Sequence, residues 1–383
     1  MHSVTPAKEV KDIIKEEGGD ILKLCYQCGM CTGTCPWNLV KSFSVRRMIH
    51  QAQLGLTDFE DEDIWTCVMC NACVVKCPRQ IKQVDVMRAL RRVIVEVGAG
   101  KIPDALRIAI KNVTAVGNPL GEPRESRADW AKDLGVKTFT KGTEILYFPC
   151  CYQIYDPSMR RVARTAVDLL KKAEVDFGVP DGSEVCCGES IRKAGCESLW
   201  QTLARNNIKY FDEAGVKKII VSSPHCYHTF KEEYPELGGN FEVIHFSQYL
   251  NELIEDGRLK FTKELNKKVT YHDSCCLGRH MRLYDEPRQN LKSIPGLELV
   301  EMRDNREEAL CCGGCGGRIW MDTPKGERFS DLRLEQALEV GANILAISCP
   351  YCMLNFDDSV LSSDKGDLIQ VRDIVELVRE AMQ

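Results

Sequence analysis

The stretch Cys25-Tyr-Gln-Cys28-Gly-Met-Cys31-Thr-Gly-Thr-Cys35-Pro36 is answered downstream by Cys67-Val-Met-Cys70-Asn-Ala-Cys73-Val-Val-Lys-Cys77-Pro78. Each run has the form C-x2-C-x2-C-x3-C-P, in which three cysteines hold one iron-sulfur cluster and the fourth reaches across to the cluster of the other run. Two runs therefore make two 4Fe-4S cubanes. Crossing the ligands gives Cys25, Cys28, Cys31 and Cys77 around one, and Cys67, Cys70, Cys73 and Cys35 around the other. Proline after each fourth cysteine removes a backbone donor and turns the chain away from the cluster. The competing chemistries are a disulfide framework and zinc, but zinc sites pair C-x2-C units and rarely use eight cysteines in this pattern.

The remainder of the chain is compatible with that start. At 383 residues there is room for two or three domains, and 44% hydrophobic with 28% charged residues is the composition of an ordinary globular protein. A net charge of -5, with Lys and Arg scattered, leaves no basic footprint for nucleic acid. Twenty-one cysteines are the anomaly. The first residues, with His2, Lys8, Glu9, Lys11, Asp12 and Lys15, are too polar for a signal peptide, so a cytoplasmic setting and metal ligation rather than disulfides are expected. No apolar run approaches the ~20 residues of a membrane span, so a membrane is expected only through a partner.

Outward from the two runs, residues 1–24 carry an amphipathic pattern (Val10, Ile13, Ile14, Ile21, Leu22), expected as a packing helix. Residues 44–54 and 84–97 have helical spacing, the second stopped by Gly98 and Gly100. The acidic stretch 58–63 reads as a solvated turn or as a docking patch for a basic partner. Trp65 is expected to pack beside the second cubane. Residues 101–143 read as a connector: a helix with Leu106, Ile110 and Val113, then the turn formers of Gly117-Asn-Pro-Leu-Gly-Glu-Pro123.

Beyond residue 143 the chain can be laid on itself. Cys151, Cys186, Cys187 and Cys226 recur as Cys275, Cys311, Cys312 and Cys352, at offsets of 124, 125, 125 and 126. So regular a repeat implies duplicated units related by a pseudo-twofold axis. Candidate strands at 145–148, 218–221, 268–271 and 344–347 alternate with candidate helices at 160–172, 198–211, 248–255 and 329–339. That alternation predicts an α/β fold with a parallel sheet in each repeat, the cysteines gathering at the strands' carboxyl ends. The expected organisation is a two-cubane domain at 1–100, a linker at 101–143 and repeats at 144–262 and 263–383.

Each repeat offers one cysteine at a strand end, an adjacent pair followed by glycine (Cys186-Cys187-Gly188; Cys311-Cys312-Gly313), and a third element with proline (Ser223-Pro224-His225-Cys226; Cys349-Pro350-Tyr351-Cys352). Two adjacent side chains can hardly both be corners of an ordinary cubane, so the pair points to an unusual cluster; a structural zinc site with spare thiols is the alternative. Gly313, Gly314, Gly316 and Gly317 are expected to bring backbone N–H groups close to sulfur, and following cysteines they are no nucleotide loop.

A ferredoxin-like α-helical segment followed by two copies of C-x(n)-C-C-G-x(n)-C-x-x-C resembles the iron-sulfur subunit of the heterodisulfide reductase family in its fused, D-type form, over nearly the whole chain. The resemblance implies a non-cubane 4Fe-4S cluster on five cysteines in each CCG repeat, with a substrate disulfide split between the two. Carried across, the second repeat is complete and is the expected catalytic site: Cys275, Cys311, Cys312, Cys349 and Cys352. The first offers Cys151, Cys186, Cys187 and Cys226 but has Ser223 at the remaining position, and serine oxygen is a harder ligand than thiolate. A four-cysteine cluster, an altered one or none are all open there, and Cys150 is a possible stand-in. Cys196, Cys276 and Cys315 are extra, expected as inert buried thiols.

The expected activity is that of an iron-sulfur oxidoreductase relaying electrons from the cubanes to the CCG sites, where a half-reduced sulfur must be held because cubanes pass one electron and disulfide cleavage needs two. The alternatives are a pure electron-transfer subunit serving a flavoprotein, an electron-transferring flavoprotein, a membrane cytochrome or quinone module, or an acyl-CoA or hydroxyacid enzyme, and a metal-bound scaffold without turnover. A hetero-oligomeric complex is expected in the first two. His225, His228, His272 and Asp273 are candidate proton carriers or structural supports. Arg279 and Arg318 are candidates for a substrate carboxylate or phosphate.

Overall fold

The structure, a computed structural model, describes residues 7–16, 19–56, 63–98 and 100–382. Of the acidic stretch, residues 58–62 lie outside the described residues; Asp63 opens a short helix and pairs with Arg47 at 2.8 Å. Residues 1–6 of the expected N-terminal helix also lie outside them. The helix that follows, Lys8–Glu16, buries Ile14.

The C-terminal half holds two four-stranded parallel sheets. The first contains β1 (Ile145–Phe148), β2 (Phe177–Gly178), β3 (Lys218–Val221) and β4 (Glu242–His245), ordered β2-β1-β3-β4. The second contains β5 (Lys268–Tyr271), β6 (Glu298–Val300), β7 (Ile344–Ile347) and β8 (Gln370–Asp373), ordered β6-β5-β7-β8. The two orders are the same, as a duplication requires. The inner strands are short apolar runs; β1 and β7 are buried throughout, the pattern of a parallel strand covered on both faces. These inner four coincide with the strands expected from sequence. The outer four escaped notice because they are two to four residues long and β4, β6 and β8 carry Glu242, Glu298, Gln370 and Arg372, which give no apolar run to read.

The helices follow the expected periodicity, with ends set by caps. The one expected from 160 begins earlier, as Pro157–Lys172, because Asp156 accepts from the backbone of Ser158 and Met159 and Pro157 suits the first helical position. Ser44 caps Val45–Leu54 by accepting from Arg47 N at 3.2 Å. Gly98 ends Gln83–Val97 in the left-handed region, φ 76°.

Ile14, Met48, Ile49, Trp65, Val86, Leu90 and Ile94 form the N-terminal core, which runs on into Cys275, Cys311 and Phe329 of the second repeat. Trp37 meets Phe329 edge-on at 4.6 Å between ring centres. The segment 101–143 is likewise built in. Its helix Asp104–Val116 buries Leu106, Ala109 and Val113, and the 3-10 turn Arg124–Ala131 inserts Arg127 and Trp130 beside the first repeat. No helix among the described residues is long and apolar enough to cross a membrane.

Candidate iron-sulfur centres

The two N-terminal runs coil in the same way. Gln27 and Gly29 in the first, and Met69 and Asn71 in the second, take positive φ (62°, 87°, 48° and 70°), at matching positions around the second cysteine. This left-handed winding turns backbone and side-chain donors toward sulfur: Met69 N lies 3.4 Å from Cys67 Sγ, Ile81 N 3.4 Å from Cys77 Sγ, and Gln27 Nε2 3.5 Å from Cys25 Sγ. Cys35 is brought to the second run: burial, then the nearby Cys70 and Cys67, push its thiol up. Cys77 is brought near Tyr26 of the first run, on which Cys28 also acts. Trp65 is buried, donates to Lys101 O at 3.1 Å and lies under Arg91, whose Nη2 binds the carbonyl of Cys67.

At the second CCG repeat Cys275 follows β5, Cys349 follows β7, and Cys311 and Cys312 come in on the loop after β6. All five cysteines are buried. Cys311 Sγ is 3.9 Å from Cys275 Sγ, Cys352 Sγ is 3.4 Å from Cys312 Sγ, and Cys349 stands near enough to Cys352 for the two thiols to shift each other's acidity. Gly313, φ 95°, donates its N–H to Cys311 Sγ at 3.3 Å, as the glycine run leads one to expect. Gly316 does something else: a Cβ there would stand 3.1 Å from Val68 C, so its bareness lets the loop press onto the N-terminal module. A ring nitrogen of His272 lies within 4.8 Å of the sulfurs of Cys312 and Cys352, its Nε2 has no hydrogen-bond partner, and burial keeps the ring neutral by lowering its pKa. A buried orphan nitrogen beside a knot of thiols is what a bound iron-sulfur cluster accounts for. The residues fit the group.

The first CCG repeat gathers five thiols as well. Cys226 Sγ is 3.5 Å from Cys187 Sγ, and Cys150, Cys151 and Cys186 line the same small cavity with them. Arg127, paired with Glu184 at 2.6 Å, reaches Cys151 Sγ at 3.6 Å. Ser223 is buried, and its hydroxyl accepts from His225 N as the cap of helix Pro224–His228. Cys349 at the equivalent place makes no such side-chain bond. Ser223 is spent on its helix, while Cys150 faces the sulfurs.

The remaining candidates divide. Asp273 is locked by Arg288 through two bonds of 2.7 and 2.8 Å and by Arg306 N at 2.7 Å, which makes it a support and not a proton carrier. Arg279 is corrected too: it is buried, and gives its donors to the carbonyls of Cys70 (2.7 Å), Ala309 (2.5 Å) and Glu307 (3.2 Å), so it is an internal tie and not a substrate arm. Arg318 lines a cavity of 400 Å³ together with Trp37, Tyr152, Cys312, Arg328 and Asn355. His228, half-buried, stands edge-on to His280, at 5.2 Å between ring centres. His225 touches both repeats, 3.0 Å from Glu189 and bonded to Cys349; burial opposes its charge, but Glu189 and Cys349 raise its pKa to about 10. Cys276 and Cys315, expected to be inert, lie against Cys275, whereas Cys196 sits alone at the start of helix Glu197–Ala214. Sequence reading missed Lys193, Glu189, Arg91 and Arg127, none of which stands in a cysteine motif.

Two cysteine-rich α/β repeats fused to a two-run cysteine module define a class, the iron-sulfur oxidoreductases with a 4Fe-4S dicluster module and CCG domains. The family models agree, a 4Fe-4S dicluster domain matching residues 21–81 and a cysteine-rich domain matching 145–231 and 269–357. The D-type subunit of the dihydromethanophenazine:CoB--CoM heterodisulfide reductase of Methanosarcina barkeri is 31% identical, over 100% of this chain and 99% of that one. The chain belongs to the family of the heterodisulfide reductase D-type subunit. The EtfAB:quinone oxidoreductase of Syntrophomonas wolfei is 37% identical over 84% of this chain, but only 47% of that protein is covered, so the chain spans about half its length. A hypothetical protein from Helicobacter pylori shares the fold, with a TM-score of 0.50 at 9% identity over 98% of this chain and 73% of that one.

Proposed function

We propose that the chain passes single electrons from the N-terminal cubanes to the second CCG site, in the manner of a heterodisulfide reductase. The observation that carries this reading is the packing of Cys70, a ligand of the second cubane, in one buried core with Cys275 and Cys311 of the CCG site, the Cys70 and Cys311 thiols close enough to shift each other's acidity. The cubane ligands in this reading are Cys25, Cys28, Cys31 and Cys77, and Cys67, Cys70, Cys73 and Cys35. Cys275, Cys311, Cys312, Cys349 and Cys352 hold the accepting cluster. The cavity that reaches Cys312 is lined by Arg318 and Arg328 together with Asp322, Glu327 and Asp358, and suits a small polar disulfide.

Electrons enter at the exposed end. Cys28 is exposed, and its chain neighbours Tyr26 and Met30 are 59% and 51% accessible, an apolar rim suited to a redox partner. A flavoprotein, an electron-transferring flavoprotein or a membrane cytochrome or quinone module fits that place, in a hetero-oligomeric complex. The names of the relatives, which include quinone in one case and the CoB--CoM heterodisulfide in the other, support both ends of this path. Cytoplasmic location with membrane contact through the partner follows from it. The same reading divides the chain into a cubane domain at 1–100, a linker at 101–143 that packs against the first repeat, and repeats at 144–262 and 263–383.

One observation favours the second reading, a pure relay without disulfide cleavage. The space between the two CCG sites is filled by Tyr351, packed on His225 at 4.2 Å and on Tyr152 at 5.3 Å between ring centres, where a disulfide shared by two clusters would lie. Reductant-driven turnover of small disulfides by the isolated protein supports cleavage. Cluster reduction by a partner without such turnover supports the relay.

Iron and sulfide analysis of anaerobically prepared protein is expected to give about sixteen irons per chain; about twelve leaves the first CCG site empty, and about eight leaves only the cubanes. Cys150→Ser is expected to remove about four of these irons. Ser223→Ala is expected to keep them all and to lower stability by about 1 kcal/mol through the lost cap. The reverse pattern reassigns the fifth ligand to Ser223.

A further inference from the structure

Where the three modules meet, Glu189 and His225 of the first repeat face Cys276 and Cys315 of the second. One donor atom from each lies within 4.8 Å of all the others, and all four residues are buried. His225 Nδ1 is 3.0 Å from Glu189 Oε2 and 3.6 Å from Cys276 Sγ. Cys276 Sγ is 3.6 Å from Glu189 Oε1 and 3.8 Å from Cys315 Sγ. A tetrahedral ion binding sulfur at about 2.3 Å and nitrogen or oxygen at about 2.0–2.1 Å holds its ligand atoms roughly 3.3–3.8 Å apart. Four of the six edges, at 3.0, 3.6, 3.6 and 3.8 Å, lie close to those lengths, His225 meeting one Glu189 oxygen and Cys276 the other, and the remaining two are within 4.8 Å.

We propose that Glu189, His225, Cys276 and Cys315 are the four ligands of a closed site for a zinc-class divalent cation, distinct from the iron-sulfur ligands. Two thiolates, an imidazole and a carboxylate are a borderline-soft set that suits zinc and not magnesium or calcium. With four protein ligands the ion has no open position and is structural. Lys193 completes the charge balance. Its Nζ is 3.4 Å from Cys315 Sγ and 3.6 Å from Cys276 Sγ, and it pairs with Glu189. Those are the distances of N–H donors to sulfur, so the ammonium stands outside the ligand set and bonds the thiolates from behind. Two thiolates, one carboxylate, a divalent ion and one ammonium sum to zero, which a buried site requires.

The site joins parts that no covalent neighbour joins. Glu189 opens helix Glu189–Lys193 of the first repeat, and Cys315 sits in the second repeat's glycine loop with its sulfur 4.0 Å from Met69 O of the N-terminal module. The ion therefore clamps the two repeats in one register, and Cys315 carries that clamp toward the cubane module through Met69. It stands whichever way electrons flow and whether or not a disulfide is the substrate.

The test uses the full-length protein, purified anaerobically with zinc in the growth medium. One zinc per chain is expected beyond the cluster iron, with zinc K-edge absorption giving two sulfur ligands at about 2.3 Å and two nitrogen or oxygen ligands at about 2.0–2.1 Å. The double variant C276A/C315A is expected to lose zinc at least about tenfold while keeping the iron content of the parent. Wild-type protein without stoichiometric zinc overturns the proposal and leaves Lys193 as the resident cation. Zinc retained by the double variant overturns it, as does loss of about four irons in place of zinc, which assigns the two thiols to an iron-sulfur cluster. If the double variant does not accumulate, the wild-type absorption decides, since a zinc environment without two sulfurs overturns it as well.

Discussion

Cys312→Ala is expected to remove about four irons per chain, abolish the EPR signal of the second CCG centre and lower any disulfide turnover by at least about 100-fold, with the cubanes still reducible. Cys312 is the ligand candidate that lines the cavity, and its sulfur lies 3.4 Å from that of Cys352. It also carries the contact with His272. Its neighbour Cys311 does not stand ready to replace it, being directed to Cys275 and Cys70. The local backbone survives the substitution: Asn355 Nδ2 holds the Cys312 carbonyl at 2.9 Å, and this bond does not involve the side chain. The eight cysteines between 25 and 77 are untouched, so dithionite reduction followed by EPR separates the two populations. Loss of every cluster together would show that the modules fold as one cooperative unit. Iron unchanged by the substitution would remove Cys312 from the ligand set.

Arg91→Met is expected to lower stability by about 3–5 kcal/mol, a large share of the roughly 5–15 kcal/mol by which proteins are ordinarily stable. Arg91 is buried, and burial pulls its guanidinium down to about 10, so it keeps its charge at neutral pH. Its donors go to four backbone carbonyls: Ile64 (3.0 and 3.1 Å), Cys67 (2.6 Å), Lys193 (3.1 Å) and Gly316 (2.6 Å). Those carbonyls belong to the N-terminal module, the first repeat and the second repeat. Methionine fills the space and takes the Arg91 donors away from all four buried acceptors, which is costlier than the loss of an exposed bond. Gly195 shows how close the approach is, since a Cβ there would lie 2.5 Å from Arg91 C. An anaerobic thermal melt is the direct measurement, together with retention of the second cubane, whose Cys67 carbonyl is among those acceptors. A melt within about 2 °C of the parent would show that the modules are held together by something other than this side chain.

Much of the site was legible because cluster ligation is written in local spacing. Each C-x2-C-x2-C-x3-C-P run winds around its own cluster, and the offsets near 125 between the CCG repeats fix the duplication before any folding is considered. The inner strands were legible for a similar reason: buried on both faces, they are continuous apolar runs. Glu242 in β4 and Gln370 in β8 hide the outer strands, whose pairing is supplied by a neighbour and not by their own composition. The place of Ser223 could be read but its use could not, since a serine before proline serves equally as a helix cap or a weak ligand.

The amino-acid order by itself determined that this chain carries two cubane motifs and a doubled CCG motif, because those signatures depend on a few residues of separation along a flexible chain. Only the tertiary structure decided which leftover groups matter: that Cys150 turns to the first CCG site, that Cys70 meets Cys311, and that Glu189, His225, Cys276 and Cys315 converge. Cys70 and Cys311 belong to different modules, and Arg91 bonds a carbonyl 225 positions away. Contacts of that span leave no periodicity in a sequence. They arise when packed modules must satisfy every buried charge and carbonyl that their own segments leave unpaired.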